Sequence, residues 1–190
     1  MSVVGISSST SQANNIFYQD MLKSIKEQPA GASMSYKALN QSTLRSVMSF
    51  YHGPLQNEAS VFAVKVIAGR IIWDTLIDLH ELLTWSEGWN SYGACAPKHE
   101  AVINAANWIF QLFLEVLDLD ENWISPNVTA SADGEVVFGW RHDSKRLTIY
   151  IGEKTAEYVQ AWGPDINKDM DDGDADLTST RQLLWKWLVS

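Results

Sequence analysis

The stretch Glu87-Gly88-Trp89-Asn90-Ser91-Tyr92-Gly93-Ala94-Cys95-Ala96-Pro97 most constrains what this chain can fold into. An apolar pattern at helical spacing precedes it and a second follows it, so it has to form a structured junction between two helices. Gly88 can end the first helix with a left-handed residue. Gly93 allows a tight turn, and Pro97 suits the first turn of the second helix. Trp89 and Tyr92 are expected to fold back and plug the ends of the core, and Cys95 to act as a small buried filler.

The first helix spans Arg70 to Ser86, with Ile72, Leu76, Leu79 and Leu83 in one stripe and Asp74, Asp78 and Glu81 away from it. His80 lies beside the stripe and reads as a surface or satisfied core histidine. The second helix runs from Pro97 to Leu117 on the stripe Val102, Ala105, Ile109, Leu112, Phe113 and Val116, flanked by Trp108. After Asp118-Leu119-Asp120-Glu121-Asn122 the period of the pattern changes from helical to alternating. Pro126 opens a strand over Asn127 to Ser131, and Asp133-Gly134 is a hairpin signal. Val136, Phe138 and Trp140 then share one face of a strand, Leu147, Ile149 and Ile151 one face of the next, and Tyr158, Gln160 and Trp162 a face of the fourth. Gly163-Pro164 ends the sheet. Asp165 to Asp176 reads as an acidic loop, and Leu177 to Val189 as a final helix that packs through Leu184, Trp187 and Leu188.

The expected fold class is α+β: an antiparallel three- to four-stranded meander packed against helices, with a helical N-terminal third. Residues 1–13 are Ser/Thr/Gln-rich and read as a flexible tail, residues 14–56 as a helical N-terminal region, and residues 57–190 as the α+β domain. Within the last of these, residues 58–68 have β-branched content that suits a strand and Ala content that suits a helix. The reading leans to helix, continuous or kinked at Gly69.

Composition narrows the function classes. At 190 residues, 46% hydrophobic and 19% charged, the chain can bury a core as one domain. Nine tryptophans imply a core with polar handles or an aromatic surface. There are 23 acidic against 14 basic residues, a net charge of −9. That balance argues against direct nucleic-acid binding, which needs a basic footprint, and against attraction to an anionic membrane. It suits a basic protein partner. A single cysteine excludes an intrachain disulfide and fits a cytoplasmic setting. No apolar run is long enough for a transmembrane helix, and the first residues lack the pattern of a signal peptide.

From Glu87 to Trp162 the residues Trp89, Asn90, Gly93, Ala94 and Pro97, then Pro126, Val128, Asp133, Gly134 and Trp140, form a recurrent pattern. In it the chain resembles an uncharacterised family of bacterial and mobile-element proteins. The family pattern is Trp-Asp/Asn-x-x-Gly-Ala-x-Pro, a helix, Pro-x-Val, Asp-Gly and an alternating strand ending in Trp. The resemblance implies the helix-then-meander fold. Some members of the family lie among toxin, antitoxin and phage-related genes, which tilts the expectation toward proteins of genetic conflict.

Three constellations could carry chemistry. Cys95 and His99 could form a nucleophile and base at a helix start, although Pro97 lies between them and no third group orients the pair. Glu87, Asp133 and His142 could form an acid–base set only if the fold brought them together. The stretch from Asn167 offers oxygen ligands in calcium-loop fashion, but its Gly173 falls one place late and Thr178 stands where a bidentate acid is needed. No phosphate loop, zinc pair or nucleophile elbow is present, and no cofactor is expected. The reading is therefore a non-enzymatic protein-binding module: an inhibitor or neutraliser that occupies the basic surface of a protein partner. A phage-encoded antagonist of a bacterial defence complex, or an antitoxin-like protein, would fit. Its expected contact residues are Asp165, Asp169, Asp171, Asp172, Asp174 and Asp176, with Trp140 and Trp162 as exposed aromatics. The alternatives are a small hydrolase or transferase using Cys95 or carboxylates, and a homo-oligomeric structural protein, for instance a homodimer through an unpaired sheet edge.

Overall fold

The computed structural model describes residues 71–190. The readings over residues 1–13, 14–56 and 58–68, and with them the helical N-terminal third, lie outside the described residues. Helix α1 (Trp73–Leu82) buries Thr75, Leu76, Leu79 and Leu82. Leu82, and not the expected Leu83, completes the buried stripe. The outward face carries Asp74, Asp78 and Glu81. Burial, then the charges of Glu81 and Asp74, push the Asp78 carboxyl above its ordinary value of 3.8. The folded state therefore holds the Asp78 proton more tightly than the unfolded chain. Its contribution to stability is full below the ordinary value and is lost as pH rises through the raised folded value. Asp78→Asn is expected to stabilise the protein at pH 7 by about 0.2–0.5 kcal/mol, a small effect because the site is solvent-screened. The gain should vanish in acid, which urea titrations at pH 3 and pH 7 would read.

Helix α1 ends well before Gly88. Thr84 Oγ1 donates to the Glu81 carbonyl at 2.7 Å, and the chain leaves through a turn. Gly88 (φ +76°) and Gly93 (φ +81°) both stand inside the junction, so Gly88 shapes the junction instead of ending the helix. The Gly88 N–H donates to the Ala94 carbonyl at 2.8 Å. Asn90 Oδ1 accepts from the N–H groups of Tyr92 (2.9 Å) and Ala94 (3.2 Å). Glu87 Oε1 accepts from the Ala96 N–H at 3.1 Å. Trp89 Nε1 donates to the Cys95 carbonyl at 3.1 Å, and its ring meets Trp85 at 4.4 Å. Tyr92 does not plug the core: it is 94% exposed. Cys95 is exposed too, because its place in the chain is held by its backbone and not by its side chain.

Helix α2 (His99–Asp118) starts after Lys98, with Pro97 just outside it. The sheet then follows in five antiparallel strands in chain order: β1 (Asn127–Ala130), β2 (Val136–His142), β3 (Lys145–Ile151), β4 (Ala156–Ala161) and β5 (Met170–Asp174). The fifth strand exceeds the expected three or four and lies inside the stretch read as an acidic loop. Val136, Phe138, Trp140, Leu147, Ile149 and Ile151 form the covered face, each no more than 4% exposed. Helix α2 and helix α3 (Thr178–Val189) pack over β2 and β3, and α1 packs beside β1. Helix α3 buries Arg181, Leu184, Trp185 and Leu188. Trp185 takes the core place expected of Trp187, which is half-buried against Trp162 with ring centroids 6.1 Å apart.

The tryptophans are mostly structural. Trp185 stacks on Trp123 at 5.2 Å and meets Trp140 edge-on at 6.2 Å, and Trp108 joins through Trp140 and Phe138. Trp108 Nε1 donates to the Ala175 carbonyl at 2.9 Å and Trp140 Nε1 to the Ile124 carbonyl at 2.8 Å. Among the described residues Trp123 Nε1 and Trp185 Nε1 are buried without a hydrogen-bond partner, so ring packing together with the Trp108 and Trp140 bonds fixes the helix layer on the sheet.

Candidate functional site: the outer face of the sheet

A strand's alternation sends every second side chain to the face away from the helices. Register sets what meets there. Tyr150 pairs with Glu157, and Glu157 with Asp174; in the next row Thr148 pairs with Val159, and Val159 with Asp172. Glu135, just before β2, joins Tyr150, Glu157, Val159, Met170, Asp172 and Asp174 in lining a concavity of about 590 Å³. No lysine, arginine or histidine lines it. Among the described residues none of its four carboxylates, Glu135, Glu157, Asp172 and Asp174, has an ion-pair partner within 4 Å. Among the described residues Glu135 accepts a neutral bond, from Ser131 Oγ at 3.0 Å.

Glu157 stands directly opposite Asp174, a like-charge cross-strand pair that costs stability. At the far corner of the same face Arg141 stands directly opposite Arg146. The arginine pair thus stands two outer-face rows from the Glu157–Asp174 pair, with the Thr148–Val159–Asp172 row between them.

The six aspartates expected to act together divide among four places. Asp165 and Asp169 build the turn between β4 and β5. Asp169 Oδ2 accepts from the Asp165 N–H at 3.1 Å, Asp165 Oδ1 accepts from the Asn167 N–H at 3.1 Å, and Lys168 pairs with Asp165 at 3.4 Å. Asp171 lies on the helix side of β5, where Tyr158 Oη and Gln160 Nε2 donate to it at 3.2 and 3.3 Å. Burial, the bond to Asp171 and the charges of Asp171 and Asp172 raise the Tyr158 phenol above its ordinary value of 10.0. Asp172 and Asp174 face outward into the concavity. Asp176 follows β5, gives its carbonyl to Arg181 Nη1 at 2.6 Å, and borders a separate groove of about 350 Å³ that is also lined by Asn104, Asn107, Gln111 and Lys154.

Trp162 is 37% exposed, and its ring meets Trp187 of α3. Trp140 is only 4% exposed, because alternation puts it on the covered face with Val136 and Phe138, and it presents no surface to a partner. Glu135, Glu157 and Tyr150 were not singled out from the sequence. The usable signal was the outward half of the alternation, read across strands and not along them.

The other constellations do not assemble. Glu87 is engaged by the Ala96 N–H. Asp133 and His142 stand at opposite ends of the seven-residue strand β2, about 20 Å apart. No hydrogen bond joins Cys95 to His99 among the described residues. The stretch 167–178 contains a strand, so its carboxylates alternate between faces and do not converge as a calcium loop requires. Among the described residues no group of three His, Cys, Asp or Glu is placed to hold a metal ion, and no helix is long and apolar enough to cross a membrane.

The two halves of the pattern, Trp89 to Pro97 and Pro126 to Trp140, meet in space. The Cys95 N–H donates to the Ala132 carbonyl at 2.8 Å and the Lys98 N–H to the Gly134 carbonyl at 3.0 Å, so the junction is laced to the β1–β2 hairpin. No protein-family model, curated protein or solved structure matches the chain.

Proposed function

We propose that this chain is a non-enzymatic protein-binding module that occupies a basic surface of a partner protein through the acidic outer face of β4 and β5. An inhibitor or neutraliser, such as a phage-encoded antagonist of a bacterial defence complex or an antitoxin-like protein, works in this way. The observation that carries the reading is the Glu157–Asp174 pair, with Glu135 and Asp172 in the same concavity and no counter-charge lining it. A fold that keeps a destabilising local choice does so where another demand outweighs stability, and functional sites are the usual place. A cationic partner surface would relieve the repulsion and gain charge-assisted bonds. Trp162 continues the Tyr158 and Gln160 face, with its ring against Trp187 of α3, and so stands apart from this acidic face.

The reading makes stability and binding move in opposite directions. Glu157→Lys replaces a like-charge pair by an opposite-charge one and is expected to stabilise the fold by about 0.2–1 kcal/mol in thermal or urea unfolding. A loss of stability would mean that Glu157 has a structural role. Affinity capture of the tagged wild-type protein from host lysate at low and high salt tests the function. The screening length falls from about 10 Å at 0.1 M to about 3 Å at 1 M salt, so a stoichiometric partner held at low salt should be released at high salt. A partner retained at both would place the contact on an apolar surface instead.

A further inference from the structure

We infer that the partner segment binds as an added strand on the side of β5 that no described strand borders, with basic residues two positions apart; this rests on the functional reading above. The hydrogen-bond pattern of the β4–β5 ladder carries it. Trp162 N–H donates to the Asp169 carbonyl and Ala175 N–H to the Ala156 carbonyl, each just beyond one end of the paired strands. In an antiparallel pair, residues alternate between those that exchange bonds with the neighbour and those that point away. Asp169, Asp171, Gly173 and Ala175 therefore bond toward β4. The N–H and C=O groups of Met170, Asp172 and Asp174 point away from it, along the sheet edge. All three residues are exposed, and no further strand borders β5 in the described sheet.

An edge with unpaired backbone groups is a template for another strand, and its side chains select which one. Asp172 and Asp174 have outward backbone groups and also carry their carboxylates on the outer face. A strand laid against them puts its own bonding residues opposite these two, with side chains on the same face. Those side chains are two residues apart, and charge complementarity makes them lysine or arginine. The residue between them falls on the helix side, beside Gly173. There the missing side chain leaves the Tyr158 ring close to the backbone, with its Cε1 3.1 Å from where a Cβ would stand. A second copy of this chain is the poorer occupant, because pairing two β5 edges sets these aspartates against each other.

The test uses the full-length protein and a capped, fluorescent nine-residue peptide alternating lysine with threonine. Two versions carry backbone N-methyl groups, on the lysines or on the threonines. All three have the same charge, so they differ only in which edge can hydrogen-bond. The inference expects the lysine-methylated peptide to bind at least about tenfold more weakly than the other two, as losing two or three bonds of ~1 kcal/mol would do. It also expects amide exchange at Met170, Asp172 and Asp174 to slow on binding. Equal binding by all three peptides would overturn strand addition while leaving the acidic face as the contact. No binding by any of them would overturn both. A dimer formed through β5 would show that the edge is used by a second copy.

Discussion

Arg181→Leu is expected to destabilise the protein by about 3–5 kcal/mol, the largest loss for any charged side chain among the described residues. Arg181 and Glu115 are each only 8% exposed. Arg181 Nε lies 3.1 and 3.0 Å from the two Glu115 oxygens, and Nη2 also bonds the carboxylate. Nη2 reaches Thr178 Oγ1 at 3.1 Å as well. With the Asp176 carbonyl on Nη1, this guanidinium ties α3 to α2 and to the segment that leaves β5. Removing it leaves a buried carboxylate with neither water nor a counter-charge, which is why one deletion costs so much. The pair itself is a different matter, since two charges had to be desolvated to make it. Glu115→Leu/Arg181→Leu is therefore expected to recover most of the loss, returning to within about 1 kcal/mol of wild type. Urea unfolding of the two single variants and the double variant measures the cycle. A double variant as unstable as Arg181→Leu would mean that the bonds to Thr178 and Asp176 dominate.

Gly134→Ala comes next, at about 3 kcal/mol. Gly134 has φ +79°, a conformation that costs an L residue roughly 1–2 kcal/mol. A Cβ there would also stand 2.5 Å from the Ala96 carbonyl oxygen, which is backbone and cannot swing aside. The hairpin would have to move away from the junction, straining the bonds from Cys95 to Ala132 and from Lys98 to Gly134. Two other glycines separate these causes. Gly93 has φ +81° but open space around it, so Gly93→Ala should cost only about 1 kcal/mol. Gly139 has neither a positive φ nor a neighbour within 4 Å, and Gly139→Ala should be neutral or stabilising by about 0.5 kcal/mol. If Gly134→Ala cost no more than Gly93→Ala, the close approach to Ala96 would not matter.

Most of the covered face was legible in the sequence, for a physical reason. Val136, Phe138 and Trp140 alternate, Leu147, Ile149 and Ile151 alternate, and α2 carries its stripe, so burial and periodicity point the same way. The junction was legible as a junction, but the fate of its side chains was not. Tyr92 and Cys95 are exposed because the loop is held by Glu87, Asn90 and backbone groups, and so has no need to bury them. Strand β5 was illegible because Met-Asp-Asp-Gly-Asp has poor strand propensity. It is a strand because β4 presents a ladder that it completes, and an edge tolerates charge. The burial of Trp140 was legible too: it alternates with Val136 and Phe138, so the pattern that covers them covers it, and the expectation of an exposed aromatic ran against that alternation. The acidic site was only half legible. Its aspartates could be listed, but register decides which of them share a face with Glu135 and Glu157, and register is a property of paired strands.

The most direct test of the central claim is to capture the partner side by side with two neutralised variants. One removes the outer-face charges (Glu135→Gln/Glu157→Gln/Asp172→Asn/Asp174→Asn), and the other removes the turn charges (Asp165→Asn/Asp169→Asn). Unfolding curves check that each is folded. The account predicts that the partner held by the wild type at low salt is lost with the outer-face variant and kept by a folded turn variant. A partner that stays bound to the outer-face variant would contradict it.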